Sequence, residues 1–158
     1  MSRDSDTNYA GAIYGTIVSM AVIATSAKDP SLGPVLIAFW AAVTALIFWL
    51  AHVYADIVAE GYARFRDAGQ VARHALRREW PLVQGAMIPS VAMLLTVVTP
   101  INTDTATWVA MGAGMVMLFA TGLLIGARDQ MSWSRRIFVG CVNASFGLVI
   151  VGLKVWVH

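Results

Sequence analysis

Along the chain, long apolar runs alternate with short polar stretches. Five runs stand out, at about residues 9–27, 35–59, 81–99, 106–127 and 137–157. Each has roughly 19–25 residues, the length a helix needs to cross a hydrocarbon core about 30 Å thick. Lys28 to Pro34 and Pro100 to Thr105 are turns by composition. Pro81 is well placed at a helix start. The predicted fold is all-α: a polytopic membrane protein with five transmembrane helices in a single integral membrane domain, 1–158.

The stretch 60–80 is polar but patterned. Ala68, Val71, Ala72, Ala75, Leu76 and Trp80 recur at helical spacing, with Arg66, Arg73, Arg77 and Arg78 largely elsewhere on the wheel. That pattern predicts a short amphipathic helix on the inner leaflet. Gly69 is the expected break after an extension of the second span. The first apolar run is read as a retained helix and not a signal peptide, because it is long and Asp4 and Asp6 weaken a basic leader.

Composition agrees with this pattern. The chain is 58% hydrophobic and 13% charged, against roughly 25% charged in ordinary soluble domains. So little polar material cannot coat a soluble fold of this size. Eight of the eleven basic residues (Arg64, Arg66, Arg73, Arg77, Arg78, Arg128, Arg135 and Arg136) lie in two loops. Because those loops separate apolar runs, membrane orientation explains them better than nucleic-acid binding, and no nucleic-acid partner is expected. Cationic loops face the cytoplasm, so the N-terminus is predicted inside and the C-terminus outside. Trp80 and Trp133 fall at the inner ends of spans, and Trp108, Trp156 and Trp40 towards the outer side, as interfacial tryptophans should. Trp49 is the exception, near mid-membrane. Arginine outnumbers lysine nine to two, which hints at a GC-rich genome and hence a bacterial inner membrane.

The chemistry concentrates on the second span. His52 and Asp56 are one turn apart and share a helix face, and Glu60 continues it. Ionisable groups at such depth usually face the bundle interior or a water-filled cavity. A histidine can change charge near neutral pH. The functional reading is an ion or proton pathway. The structural reading pairs Asp56 with Arg64, Arg128 or Arg136 and lets His52 hydrogen-bond a neighbouring helix. Each of the other spans places one polar side chain at a similar inner depth: Tyr14, Gln84, Thr121 and Asn143. A shared polar layer around His52 would satisfy all of them. The outer half, with Thr96, Thr99, Asn102, Thr103, Asp104, Thr105 and Thr107, reads as a solvated turn above plain packing.

Gly11 with Gly15, and Gly122 with Gly126, form GxxxG pairs, and Gly112 and Gly114 add small surface. Such residues mark helix contacts, within one protomer or between protomers. Pro89 permits a kink in the third span. Met111, Met115 and Met117 are read as packing, so no metal is expected, and no cofactor. Cys141, the single cysteine, is read as a small buried hydrophobe. Arg73, Arg77 and Arg78 are candidate contacts for anionic lipid headgroups. No enzyme motif is present: no P-loop, no GxSxG and no HExxH.

The leading expectation is a homo-oligomeric channel or transporter-like protein for protons or small ions. His52 would act as gate or relay, and Asp56 and Glu60 would attract cations at the inner mouth. The alternative is a non-transporting accessory or scaffold protein. A lipid-modifying enzyme using His52 and Asp56 as acid and base stands below both.

Overall fold

The computed structural model describes residues 9–59 and 68–156. Among these, the regular elements are all helical: α1 (Tyr9–Ser26), α2 (Pro34–Ala59), α3 (Ala68–Arg78), α4 (Trp80–Leu95) followed by a 3-10 turn (Thr96–Val98), α5 (Thr103–Arg128) and α6 (Trp133–Trp156). Five helical runs are long and apolar enough to cross a membrane: α1, α2, the run Gly69–Val98, α5 and α6.

Local chemistry sets the element ends. Asp29 accepts hydrogen bonds from the N–H and hydroxyl of Ser31, closing the turn between α1 and α2. Those bonds hold its carboxyl below the usual carboxylate range. Asn102 caps α5, its side chain accepting from the Thr105 N–H at 2.8 Å. The C-terminus of α5 is a Schellman motif, with Met131 N–H on Gly126 O and Gln130 N–H on Ala127 O. Gln130 holds the left-handed position, at φ 52°. Between α3 and α4 only Glu79 intervenes. Its N–H still donates to Ala75 O, but Pro81 has no N–H to offer, so the ladder breaks there. The expected amphipathic helix therefore leads directly into the third span. Gly69 lies in its first turn, not at a break ahead of it.

α1 occupies the centre and packs against α2, α4, α5 and α6. Successive spans run in opposite directions, which gives the bundle two distinct ends. At the arginine end, Arg128 at the close of α5 lies over the ring of Tyr9 at the start of α1. At the far end, Ile23, Ile37, Ala38, Met93 and Ala106 form a buried apolar cluster. Between the ends Met20, Met111, Leu118 and Ile150 fill the core.

The α1–α4 contact is made backbone to backbone. A Cβ added at Gly15 would lie 2.8 Å from the Leu82 carbonyl carbon, and one at Gly85 2.8 Å from that of Ala12. Pro89 explains a hydrogen bond in this seam. It has no N–H for the carbonyl four residues back, that of Gly85. The Thr16 hydroxyl from α1 supplies the donor, its single proton shared between Gly85 O at 3.1 Å and Ala12 O at 2.8 Å. One turn on, Ser90 donates to Ala86 O. Its hydroxyl also lies 3.2 Å from that of Ser19, a hydrogen bond between α1 and α4.

The second GxxxG pair serves α5 and α6. A Cβ at Gly122 would meet the Gly140 backbone at 2.6 Å, and one at Gly126 would meet Arg136 at 2.9 Å. Gly15, Gly122 and Gly126 thus make contacts within the chain. Gly112 has open space around it. Cys141 corrects the expectation of burial, for it lies exposed on the outer face of α6.

Candidate functional site

The candidate site lies at the arginine end, where the last turns of α2 meet α1, α3 and the start of α4. His52 is half-buried. Its Nδ1 lies 2.8 Å from the carbonyl oxygen of Phe48, one turn back along the same helix. A carbonyl only accepts, so Nδ1 must carry the proton. The lone pair of the neutral ring then sits on Nε2, and the next proton binds there. Tyr14 of α1 leans on the same ring at 5.3 Å between centroids, and on Phe48 at 5.7 Å.

Asp56, one turn towards the arginine end, meets a different partner from those expected. Arg78 at the end of α3 places its Nη1 3.5 Å from Asp56 Oδ2. Arg128 stands over Tyr9, Arg136 donates from Nε to Met131 O, and Arg64 lies outside the described residues. Oδ2 is buried and makes no hydrogen bond among the described residues. The same Arg78 has its Nε 3.9 Å from Glu79, a carboxylate only 5% exposed. One half-exposed guanidinium therefore stands between two carboxylates, and water and salt screen its attraction to both. Glu60 lies outside the described residues.

The structure unites only part of the expected polar layer. Tyr14 reaches His52, and His52 spends Nδ1 on its own helix and not on Asp56. Gln84 is exposed on the surface of α4. Thr121 is buried but donates to Met117 O, within α5. Asn143 is buried, and its Nδ2 has no hydrogen-bond partner among the described residues. Trp49 packs edge-on against Trp80 at 5.6 Å.

Two charged residues escaped the sequence reading. Glu79 sits in an arginine-rich stretch and looks like a solvated charge there, yet the fold leaves it only 5% exposed. Lys154 is the larger omission. It lies in the last turn of α6 with a side chain only 2% exposed, its Nζ 2.9 Å from Asp104 Oδ1 and 4.3 Å from the centre of the Trp108 ring. The far end therefore contains an ion pair between a buried lysine and an exposed aspartate beside its packing. The signal was present: a lone cation in an apolar run requires a counter-charge, and Asp104 opens the helix beside it.

Among the described residues, no three histidine, cysteine, aspartate or glutamate side chains come together as a metal site would require. Compared with known proteins, the chain matches no family model, no curated protein and no solved structure.

Proposed function

We propose that this is an integral membrane protein that conducts protons or small cations as a homo-oligomer, using His52 and Asp56 at the arginine end. The observation that carries the proposal is the buried Asp56 Oδ2, which has an arginine at 3.5 Å and no hydrogen bond among the described residues. A buried carboxylate oxygen left without a donor is an exception that calls for a proton, a cation or water. His52 stands one turn deeper with Nε2 open to a proton. The step proposed is proton transfer between the Asp56 carboxylate and the Nε2 of His52, one turn apart on α2, with Asp56 as the group that would hold a small cation.

The membrane setting rests on surface chemistry. Phe39, Ile47, Leu95, Val116, Phe138, Phe146 and Val149 are all at least half exposed, and a surface so apolar belongs in lipid. The arginine end faces the cytoplasm by the positive-inside rule, and a bacterial inner membrane is the compartment proposed. The protomer axis is filled by the α1–α4 seam, so the pathway runs along the α1–α2 edge, where Tyr14 is exposed, and between copies of the chain. That closed axis also favours the second reading, an accessory or scaffold protein that transports nothing.

Flux measurements separate the two. Purified protein in liposomes is tested for proton and cation flux, beside His52→Ala and Asp56→Asn. The proposal expects flux in the parent protein and at least tenfold less in each variant. No flux at any pH or potential leaves the accessory reading, whereas undiminished flux in both variants would keep a channel and remove this site.

A further inference from the structure

We infer that the outward stripe of α3, centred on Arg73 and Arg77, binds the headgroups of anionic phospholipids. The inference rests on the membrane reading above and is independent of ion conduction. α3 has two unlike sides. Val71, Ala72 and Ala75 turn inward, and the helix packs on α2 and α4. Arg73, His74 and Arg77 are exposed, and the helix sequence contains no acidic residue.

The structure also divides the arginines. Arg78 is held beside Asp56 and Glu79. Arg73 and Arg77 form no ion pair among the described residues and lie four apart, on one face. Two adjacent guanidinium groups suit a phosphodiester, because each offers forked donors to phosphate oxygens.

Position makes the phosphate that of a lipid. α3 leads into a membrane-length helix across the single residue Glu79. At about 1.5 Å per residue, Arg73 stands roughly 10 Å along the chain from Trp80. Trp80 and Leu76 are 44% and 36% exposed, and an exposed tryptophan at such a boundary sits at headgroup level. The guanidinium groups thus stand where lipid phosphates lie.

The experiment uses the full chain in nanodiscs of phosphatidylcholine mixed with phosphatidylglycerol. Native mass spectrometry counts the lipids retained on release. The protein should retain phosphatidylglycerol preferentially. Each basic residue at an anionic surface is worth about five-fold in affinity, so Arg73→Gln with Arg77→Gln should lower the preference by about 25-fold. Arg73→Lys with Arg77→Lys should keep most of it. Arg135→Gln, a single exposed arginine at the same end on α6, should lower it by no more than about five-fold.

An unchanged preference in the glutamine pair overturns the proposal. So does an equal loss in Arg135→Gln, which would mean a general positive field. Displacement of the lipid by free glycerol phosphate would mean a soluble phosphate site and would also overturn it. A chain that does not enter nanodiscs overturns the membrane reading with it, whereas lost flux with lipid preference intact touches only the conduction proposal.

Discussion

Gly15→Ala adds one methyl group where two helix backbones, α1 and α4, meet directly. The new Cβ would fall 2.8 Å from the Leu82 carbonyl carbon and closer still to its oxygen, where ordinary contact begins at 3.4 Å. The obstruction is backbone on a helix, so no side chain can swing away. The oxygen sets the limit, so α1 and α4 must part by more than 1 Å. A gap of 0.5–1 Å forfeits about a quarter to a half of the dispersion attraction across it. The Thr16 bond to Gly85 O, already 3.1 Å long, would pass beyond hydrogen-bonding distance. Overpacking typically costs about 1–3 kcal/mol, and an interhelical bond in a membrane protein about 0.6. The expected loss is about 2–4 kcal/mol, read as reversible unfolding by SDS in mixed micelles. Gly112→Ala is the control, since nothing lies within 4 Å of its added Cβ. A Gly15→Ala protein within about 0.5 kcal/mol of the parent, the range of neutral surface changes, would refute the backbone-contact reasoning. So would an equal loss in Gly112→Ala.

Three further outcomes follow from single contacts. Thr16→Val should destabilise by about 1 kcal/mol, because the Gly85 carbonyl that Pro89 leaves open loses its donor. In a Pro89→Ala background, where the helix supplies its own N–H, that cost should shrink towards zero, and a double-mutant cycle measures the difference. Asp104→Asn should cost about 2 kcal/mol or more and Lys154→Met less: the first strands a cation whose side chain is 2% exposed, while the second leaves a carboxylate that is 64% exposed. SDS unfolding of both variants gives the order, and the reverse order would contradict it. Gln130→Gly should stabilise by up to about 1 kcal/mol, since φ of 52° suits glycine better than a residue with a Cβ; a lower thermal midpoint in detergent would contradict it.

The site was half legible. His52 and Asp56 were visible because ionisable groups are conspicuous in an apolar run and a spacing of four puts them on one face. Their partners were not. Arg78 and the candidates Arg64, Arg128 and Arg136 all lie in the arginine-rich polar stretches, and a linear count of depth cannot tell which one folds towards α2. The count also aligned Gln84 with His52 without showing that Gln84 faces outward. Depth is set by position along a helix, whereas facing is set by its rotation against neighbours.

What the sequence determined by itself is the number and extent of the apolar helices and the amphipathic character of α3. Those follow from local properties: the length of each run, the turn residues between runs and the spacing within one segment. The ends shifted by a few residues, as at α5, which starts at Thr103 under its Asn102 cap. Only the tertiary structure decided that α1 is the central helix, that Gly15, Gly122 and Gly126 are used within the chain, that Thr16 answers the carbonyl freed by Pro89, and that Lys154 is buried against Asp104. The reason is physical. A helix apolar on every side carries no stripe to mark its inner face, so close backbone approach and the demand of each buried polar group for a partner choose that face, and both depend on residues far apart in the chain.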